Sequence, residues 1–392
     1  MLTKKLKVLG LLVFLSVLSV TWAGAQRGGD TSRTFKVKNG GTLVIEADNV
    51  YADIEIRVWN KSEVRVEVEG IREDDLDDLE MSESGNTITV EYYGGHRGWR
   101  RSRQVTFMAS VPREFSLVLL TSGGDIEVND KIKGAIEAKT SGGDIEVDDV
   151  EGELFLRTSG GDITARNVVG DAELNTSGGD IEVGDVDGQL DVHTSGGDIT
   201  VGMVKKDLEA KTAGGDVHVG DVGGYADVST AGGDIILGNV SGTASLRTAG
   251  GDIELRSASG RVTAQTAGGD IELENISGSC KAETAGGDII IELTPSGNRG
   301  SSFDTAGGDI ELYIPSNAKA NIEARIRVRH DDHWYNRGNY RRREYQIYSD
   351  FKAVTKDEDR RGISATFVLN GGGKTITLET ANGDIYIKKL KK

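Results

Sequence analysis

The sequence predicts an all-β fold, a single-stranded β-solenoid (β-helix) with about 18 residues per coil, β-rich end caps and a C-terminal loop insertion. Three observations predict it. The motif Thr-Ser/Ala-Gly-Gly-Asp recurs with its aspartate at Asp125, Asp144, Asp162, Asp180, Asp198, Asp216, Asp234, Asp252, Asp270, Asp288 and Asp309, spaced by 19 residues once, by 18 eight times and then by 21. Between the motifs, apolar and polar residues alternate, which is the period of a half-buried strand. Finally, 54 Gly stand against 3 Pro, so glycine marks one tight turn used many times and the chain is neither collagen-like nor a proline-rich linker.

The unit from Thr176 to His193 shows how each element follows from its residues. Its turn leads into Ile181 and Val183, Val186 follows, and after Gly188 a second strand carries Leu190 and Val192. Later units are apolar in the same slots: Val217, Val219, Val222, Ala226 and Val228, then Ile235, Leu237, Val240, Ala244 and Leu246. One unit cannot bury its own apolar face, so the units must stack about 4.8 Å apart, each hydrogen-bonded to its neighbours. In the turn, both glycines are expected to take backbone angles closed to other residues. Each aspartate is expected to accept N–H bonds within its own turn, and successive threonine hydroxyls to bond to one another. The residue before Gly-Gly is Ser in the first five copies, Ser122 to Ser195, and Ala in the next six, Ala213 to Ala306. That site therefore requires small size and shares no serine nucleophile.

Breaks in the pattern set the domain boundaries. Residues 1–25 read as a signal peptide, because Lys4, Lys5 and Lys7 precede the apolar run Val8 to Val20 and Ala23-Gly24-Ala25 supplies a cleavage site before Gln26. No transmembrane segment is expected after cleavage, since no later stretch approaches the roughly 20 apolar residues a spanning helix needs. Residues 26–120 are expected to form the N-terminal β cap, with strand-like runs such as Ile54-Glu55-Ile56-Arg57-Val58, and residues 121–315 the repeats. Residues 316–392 carry the C-terminal coils, a basic-aromatic loop insertion at about 324–362, and a degenerate further turn at Thr380-Ala381-Asn382-Gly383-Asp384. The lysines after Ile387 are expected to blunt the last edge.

Several chemistries are disfavoured. A net charge of -17 repels nucleic acid and anionic membrane surfaces. The single cysteine, Cys280, permits neither an intramolecular disulfide nor a cysteine cluster, and its slot is that of Leu190, Ala226, Ala244 and Val262, which places it in the core. Calcium-binding solenoids use a nonapeptide, Gly-Gly-x-Gly-x-Asp, whereas here the aspartate follows Gly-Gly directly at the longer period, so no metal site and no cofactor are expected. One threonine per coil does not make the two-dimensional hydroxyl array of an ice-binding surface. His193 and His218 lack a partner, and Glu127, Glu146, Glu182, Glu254 and Glu272 share an outward slot as a solvated acidic stripe. No catalytic residues are expected, because no break in the repeats gathers carboxylates or bases on particular coils.

Two segments reverse the local sign of charge and are the candidate partner-binding regions. The first holds Arg97, Trp99, Arg100 and Arg101; the second holds Trp334, Tyr335, Arg337, Arg341, Arg342 and Arg343 and runs on to Tyr345 and Tyr348. Arginine and aromatic side chains anchor partners because they bury area at little entropic cost and offer forked donors to carboxylate or phosphate. An envelope polyanion, a glycan or a protein partner fits them; nucleic acid does not fit an exported chain.

The recurring Gly-Asp-Ile, the all-β repeat, the opening Gly40-Gly41-Thr42-Leu43 and the ending Gly371-Gly372-Gly373 to Asn382-Gly383-Asp384-Ile385 resemble the bacterial putative-adhesin family, a domain of unknown function with repeating Gly-Asp β-strands. The resemblance implies a cell-envelope or surface setting, a role in adhesion and no catalytic residues. The expected function is an exported, non-catalytic, adhesin-like binding module, periplasmic, surface-held or secreted. A structural spacer or envelope-stress accessory protein without its own ligand is the first alternative, and a polysaccharide-acting β-helix enzyme the second.

Overall fold

Alternation decides which side chains leave water. In each unit the strand after the aspartate and the strand before the next turn point Ile, Leu, Val or Ala inward, and these are buried: Ile145, Val147, Leu154 and Leu156 in one coil, Ile253, Leu255, Val262 and Ala264 in another. Each such Ile, Leu or Val contributes about 1.5–3 kcal/mol relative to exposure. The computed structural model describes residues 31–48, 50–93, 104–327, 345–359 and 362–391. There the strands stack into two long, mostly parallel sheets around one apolar core, a β-solenoid. Neither sheet closes on itself. One runs from an edge at Thr31–Lys36 to an edge at Ile347–Ser349, the other from Leu79–Ser84 to Thr355–Asp359.

Because the coils from Asp144 to Asp288 share one length and the longer steps take up their extra residues in turns, like side chains fall on like. Ile126, Ile145, Ile163, Ile181 and Ile199 are successive partners. The valine after each first strand builds a third, narrow line of bridges from Val150 through Val168, Val186, Val204 and Val222 to Val240. Cys280 is buried in the core.

The turn differs from the sequence expectation in three ways, each with a physical reason. The aspartate does not bond within its turn: Oδ1 of each accepts the N–H of the aspartate one coil later. The bonds are 2.7–3.1 Å long and run unbroken from Asp53 through Asp125 and every repeat to Asp384. The threonine hydroxyls do not bond to one another. They are turned inward and donate to the carbonyl of the second glycine of the preceding coil, as Thr158 does to Gly143 at 2.8 Å and Thr194 to Gly179 at 2.8 Å. That burial removes the threonines from any ice-facing surface.

Nor are the glycines chosen for their torsions, since none in the repeated motif has positive φ. A Cβ on Gly161 would stand 2.1 Å from the Gly143 carbonyl oxygen, so the second glycine is needed because the neighbouring coil passes too close. At Gly160 the nearest atom would be 3.6 Å away, an ordinary contact.

Both ends use the same threading. The coil of Gly41–Asp48 and Ala52–Trp59 lies between the coil of Phe115–Thr121 and Ile126–Asn129 and the outer strands Thr87–Tyr93 and Val105–Pro112. At the other end, Lys374–Thr380 and Ile385–Lys389 lie between Ser301–Thr305 with Ile310–Ile314 and the outer strands Ala320–Arg327 and Ile347–Ser349. Two expectations are corrected here. The described part of the 324–362 insertion is not a loop, because Ala320–Arg327, Thr355–Asp359 and Gly362–Leu369 form an antiparallel cap. The C-terminal lysines do not guard an edge, because their strand is paired on both sides. The edge of that sheet is Ile347–Ser349; the edge of the other sheet at this end, Thr355–Asp359, reads Thr-Lys-Asp-Glu-Asp, and such charge discourages pairing with another chain.

Two outcomes are expected. Gly161→Ala should lower stability by about 1–3 kcal/mol through overpacking while Gly160→Ala changes it little, a contrast read by thermal melting and by hydrogen exchange of coils 143–180. Asp198→Ala should cost about 1–2 kcal/mol, because the Asp216 N–H loses its acceptor. Asp198→Asn, which keeps an acceptor oxygen, should cost much less; equal losses would show that the ladder works through charge.

Candidate functional site

The two basic-aromatic segments attach to the rod at equivalent places. Thr87–Tyr93 belongs to one sheet and Val105–Pro112 to the other, so the segment with Arg97, Trp99, Arg100 and Arg101 joins two strands that flank the corner where the repeats turn with Gly-Gly-Asp. Ala320–Arg327 and Ile347–Ser349 likewise belong to opposite sheets, so the segment with Trp334, Tyr335, Arg337, Arg341, Arg342 and Arg343 joins two strands that flank the same corner in the last coil. These ten side chains, and residues 1–25 expected as a signal peptide, lie outside the described residues.

The flanking residues join the aspartate ladder at its two ends. Gln104 Nε2 donates to Asp53 Oδ2, and the Gln346 N–H donates to Asp384 Oδ1 at 2.7 Å, in the place of a further aspartate. The described residues that border both segments thus meet the ladder's corner, at opposite ends of the rod and on the order of 60 Å apart at about 4.8 Å per coil. Asp53 carries no Gly-Gly before it, which is why sequence reasoning missed it as the start of the ladder.

Beside this corner, the outward face of the Ile-x-Val sheet carries the acidic stripe, and Glu127, Glu146, Glu182, Glu254 and Glu272 are all exposed. Burial first, and then the carboxylates of Glu254, Glu274 and Glu292, raise the pKa of Glu272 above its ordinary value.

The stripe changes character at the C-terminal end, where Glu311, Tyr386 and Tyr348 are successive partners in the same column. The Tyr348 and Tyr386 rings stack at 5.0 Å and 10°. Lys388 reaches Glu311 Oε2 at 2.6 Å and the Tyr313 hydroxyl at 3.2 Å, and sits 5.1 Å from the Tyr313 and Tyr386 ring centres. Burial works against the Glu311 carboxylate, but hydrogen bonds from Lys388 and Tyr313 hold its pKa below the ordinary value. The hydrogen bond to Glu311 raises Lys388, so the pair stays charged. Tyr348 is 49% exposed, which leaves an aromatic surface beside a fixed cation where the second segment returns to the rod.

His193 and His218 are exposed on different coils. Burial pushes the Cys280 thiol far above its usual range, so the reactive thiolate is suppressed. Among the described residues, no group of three or more His, Cys, Asp or Glu side chains is placed to hold a metal ion, and no helix is long and apolar enough to cross a membrane.

An open-ended pair of sheets wound as stacked coils, with its distinctive side chains at the ends, defines a β-solenoid protein. The model of the family described as Toastrack DUF4097 matches residues 18–222 and again 202–388, and the chain belongs to that family. No curated protein matches it. Solved structures are similar at low identity. A putative adhesin from Bacteroides fragilis is 15% identical, with 92% of this chain and 97% of that one covered and a TM-score of 0.19. A putative lipid binding protein from Parabacteroides distasonis is 12% identical, with 93% and 98% covered and a TM-score of 0.22. A putative adhesin from Parabacteroides merdae is 10% identical, with 93% and 98% covered and a TM-score of 0.22. Similarity at this level carries no argument about what this chain binds.

Glu272 gives a pH-dependent outcome. A carboxyl whose folded pKa is raised destabilises the fold above that value, and the penalty vanishes below the ordinary carboxylate value. Glu272→Gln should therefore raise the melting temperature slightly at pH 7 and not at pH 3.5. The gain should shrink in 0.5 M salt, because the group is largely solvated and its neighbours are screened. An equal effect at both pH values would remove the electrostatic account.

Proposed function

We propose that this protein is an exported, non-catalytic binding module of the cell envelope, adhesin-like in action, in which the solenoid is a rigid spacer and its two ends make the contacts. The observation that supports this reading is that the strands flanking both basic-aromatic segments meet the aspartate corner in the outermost coils. A regular rod keeps them a fixed distance apart, and two weak contacts held that way bind together far more tightly than either alone. Arg97, Trp99, Arg100 and Arg101 at one end, and Trp334, Tyr335, Arg337, Arg341, Arg342 and Arg343 at the other, are the proposed contact residues. The partner is an envelope polyanion, a glycan or a protein. The exposed Tyr348 ring and the adjacent Lys388 extend the C-terminal contact onto the described surface. Export rests on the N-terminal sequence pattern and an envelope setting on the family resemblance.

The test is sedimentation of Gln26 to Lys392 with purified envelope fractions, beside variants in which residues 94–103, residues 328–344 or both are replaced by Gly-Ser linkers. These boundaries spare every described strand. Each single replacement should weaken binding about tenfold or more, and the double replacement should abolish it. Undiminished binding by the double variant would move the contact to the ladder faces, and no binding by any form would favour the spacer.

A further inference from the structure

A second corner of the coil, between the narrow valine line and the other sheet, changes partway along the rod. At two of the earlier steps it is closed by the chain's own carboxylates: Asp171 Oδ1 accepts the N–H of Gln189 at 2.9 Å, and Asp207 Oδ1 accepts the N–H of Tyr225 at 2.8 Å. The backbone bond from Gln189 holds the Asp171 carboxyl below its ordinary pKa, so the corner favours an anion. At the same position in the following coils stand Thr243, Arg261 and Ser279. No carboxylate is available there, and among the described residues the N–H groups of these three make no hydrogen bond to the protein.

At this stretch the repeat also lengthens. The interval from Asp288 to Asp309 is 21 residues, and the extra chain carries Ser296, Asn298 and Arg299 to the corner. Together they line an open groove of about 470 Å³ with hydroxyls, backbone and two arginines, and no acidic side chain lines it. Neither Arg261 nor Arg299 forms an ion pair among the described residues, although the chain as a whole is strongly acidic. Free guanidinium groups, hydroxyls and unpaired N–H donors together fit an oxyanion.

The geometry points to a binding site for carboxylate-bearing glycans, in which a uronate carboxylate takes the place that Asp171 and Asp207 fill in the earlier coils and is clasped by Arg261 and Arg299. The open groove admits a polymer from the side, and the hydroxyls of Thr243, Ser279 and Ser296 suit the sugar's own hydroxyls. This goes beyond the end-contact reading and does not depend on it, because the groove lies on a different corner from the one that the strands flanking both segments meet.

The test is calorimetric titration of Gln26 to Lys392 with oligogalacturonate, its methyl ester and dextran sulfate. The proposal expects binding of oligogalacturonate and none of the ester. Arg261→Gln with Arg299→Gln should weaken it at least tenfold, about 1.4 kcal/mol. Thr243→Asp should also weaken it, because it offers the Arg261 N–H an internal carboxylate, while leaving the melting temperature equal or higher; loss of binding then cannot be loss of fold. Three results would each overturn the proposal: no binding at millimolar oligogalacturonate, equal binding of the ester, or unchanged affinity in both variants. Stronger binding of dextran sulfate that survives the arginine substitutions would overturn it too, as a diffuse polyanion effect. The variant lacking 94–103 and 328–344 should retain oligogalacturonate binding, which separates failure of this site from failure of the end contacts.

Discussion

The structure depends on how one coil's corner is tied to the next. Parallel strands in adjacent coils satisfy each other's backbone groups along the flat faces, but at a corner the chain turns and its N–H groups have no ladder to join. Here the aspartate of one coil supplies the acceptor for the next, and the threonine hydroxyl returns a donor to the glycine carbonyl below. Both bonds run between coils, so each copy is incomplete until its neighbour is in place. That explains why residue type is so constant: the aspartate must reach one coil on, the threonine must fit inside, and the second glycine must have no side chain because the carbonyl it passes is so close. The Ser/Ala site projects outward and varies freely between two small residues.

A stack tied this way has a weakness at its ends, where the last acceptor and donor would be left over and the sheets would offer bare edges. The chain meets this by placing its first and last complete coils one position in from each end. Outer strands made from other parts of the sequence cover them. Gln104 and Gln346 then take the final places beside the aspartate ladder. Beyond the outermost coils come antiparallel cap strands and not a further coil, so the chain between their strands is free of the length constraint on internal coils. Physical tolerance for insertion and the location of the arginine- and aromatic-rich segments therefore coincide.

The interior of the rod tolerates much less. A coil one residue longer would shift its second strand's side chains from core to solvent, because the strand period is two. The two lengthened intervals avoid this: the 19-residue step from Asp125 takes up its extra residue in the turn before Ile132, and the interval before Asp309 places its additional residues in the turn at 294–300, outside both strands, so that Ser302 to Thr305 still pair in register with Lys281 to Thr284. Variation in coil length is thus confined to corners, as at the groove lined by Arg261 and Arg299.

The sequence by itself determined the repeat length, the strand positions, the inward slots from Ile126 to Ile310, the burial of Cys280 and the solenoid class. All of these follow from a period of two inside a period of eighteen, which local residue order records directly. Only the tertiary structure decided which atoms the conserved-looking turn residues bond. Asp198 and Asp216 are eighteen residues apart, and nothing in either turn says whether its carboxylate caps its own backbone or the next. It alone also placed Asp53 and Asp384 at the ends of one ladder, with the strands flanking the two basic-aromatic segments at the same corner. It left the N–H groups of Thr243, Arg261 and Ser279 without partners. These are consequences of stacking distant stretches of chain at a coil spacing of about 4.8 Å, a contact between segments that no local pattern encodes.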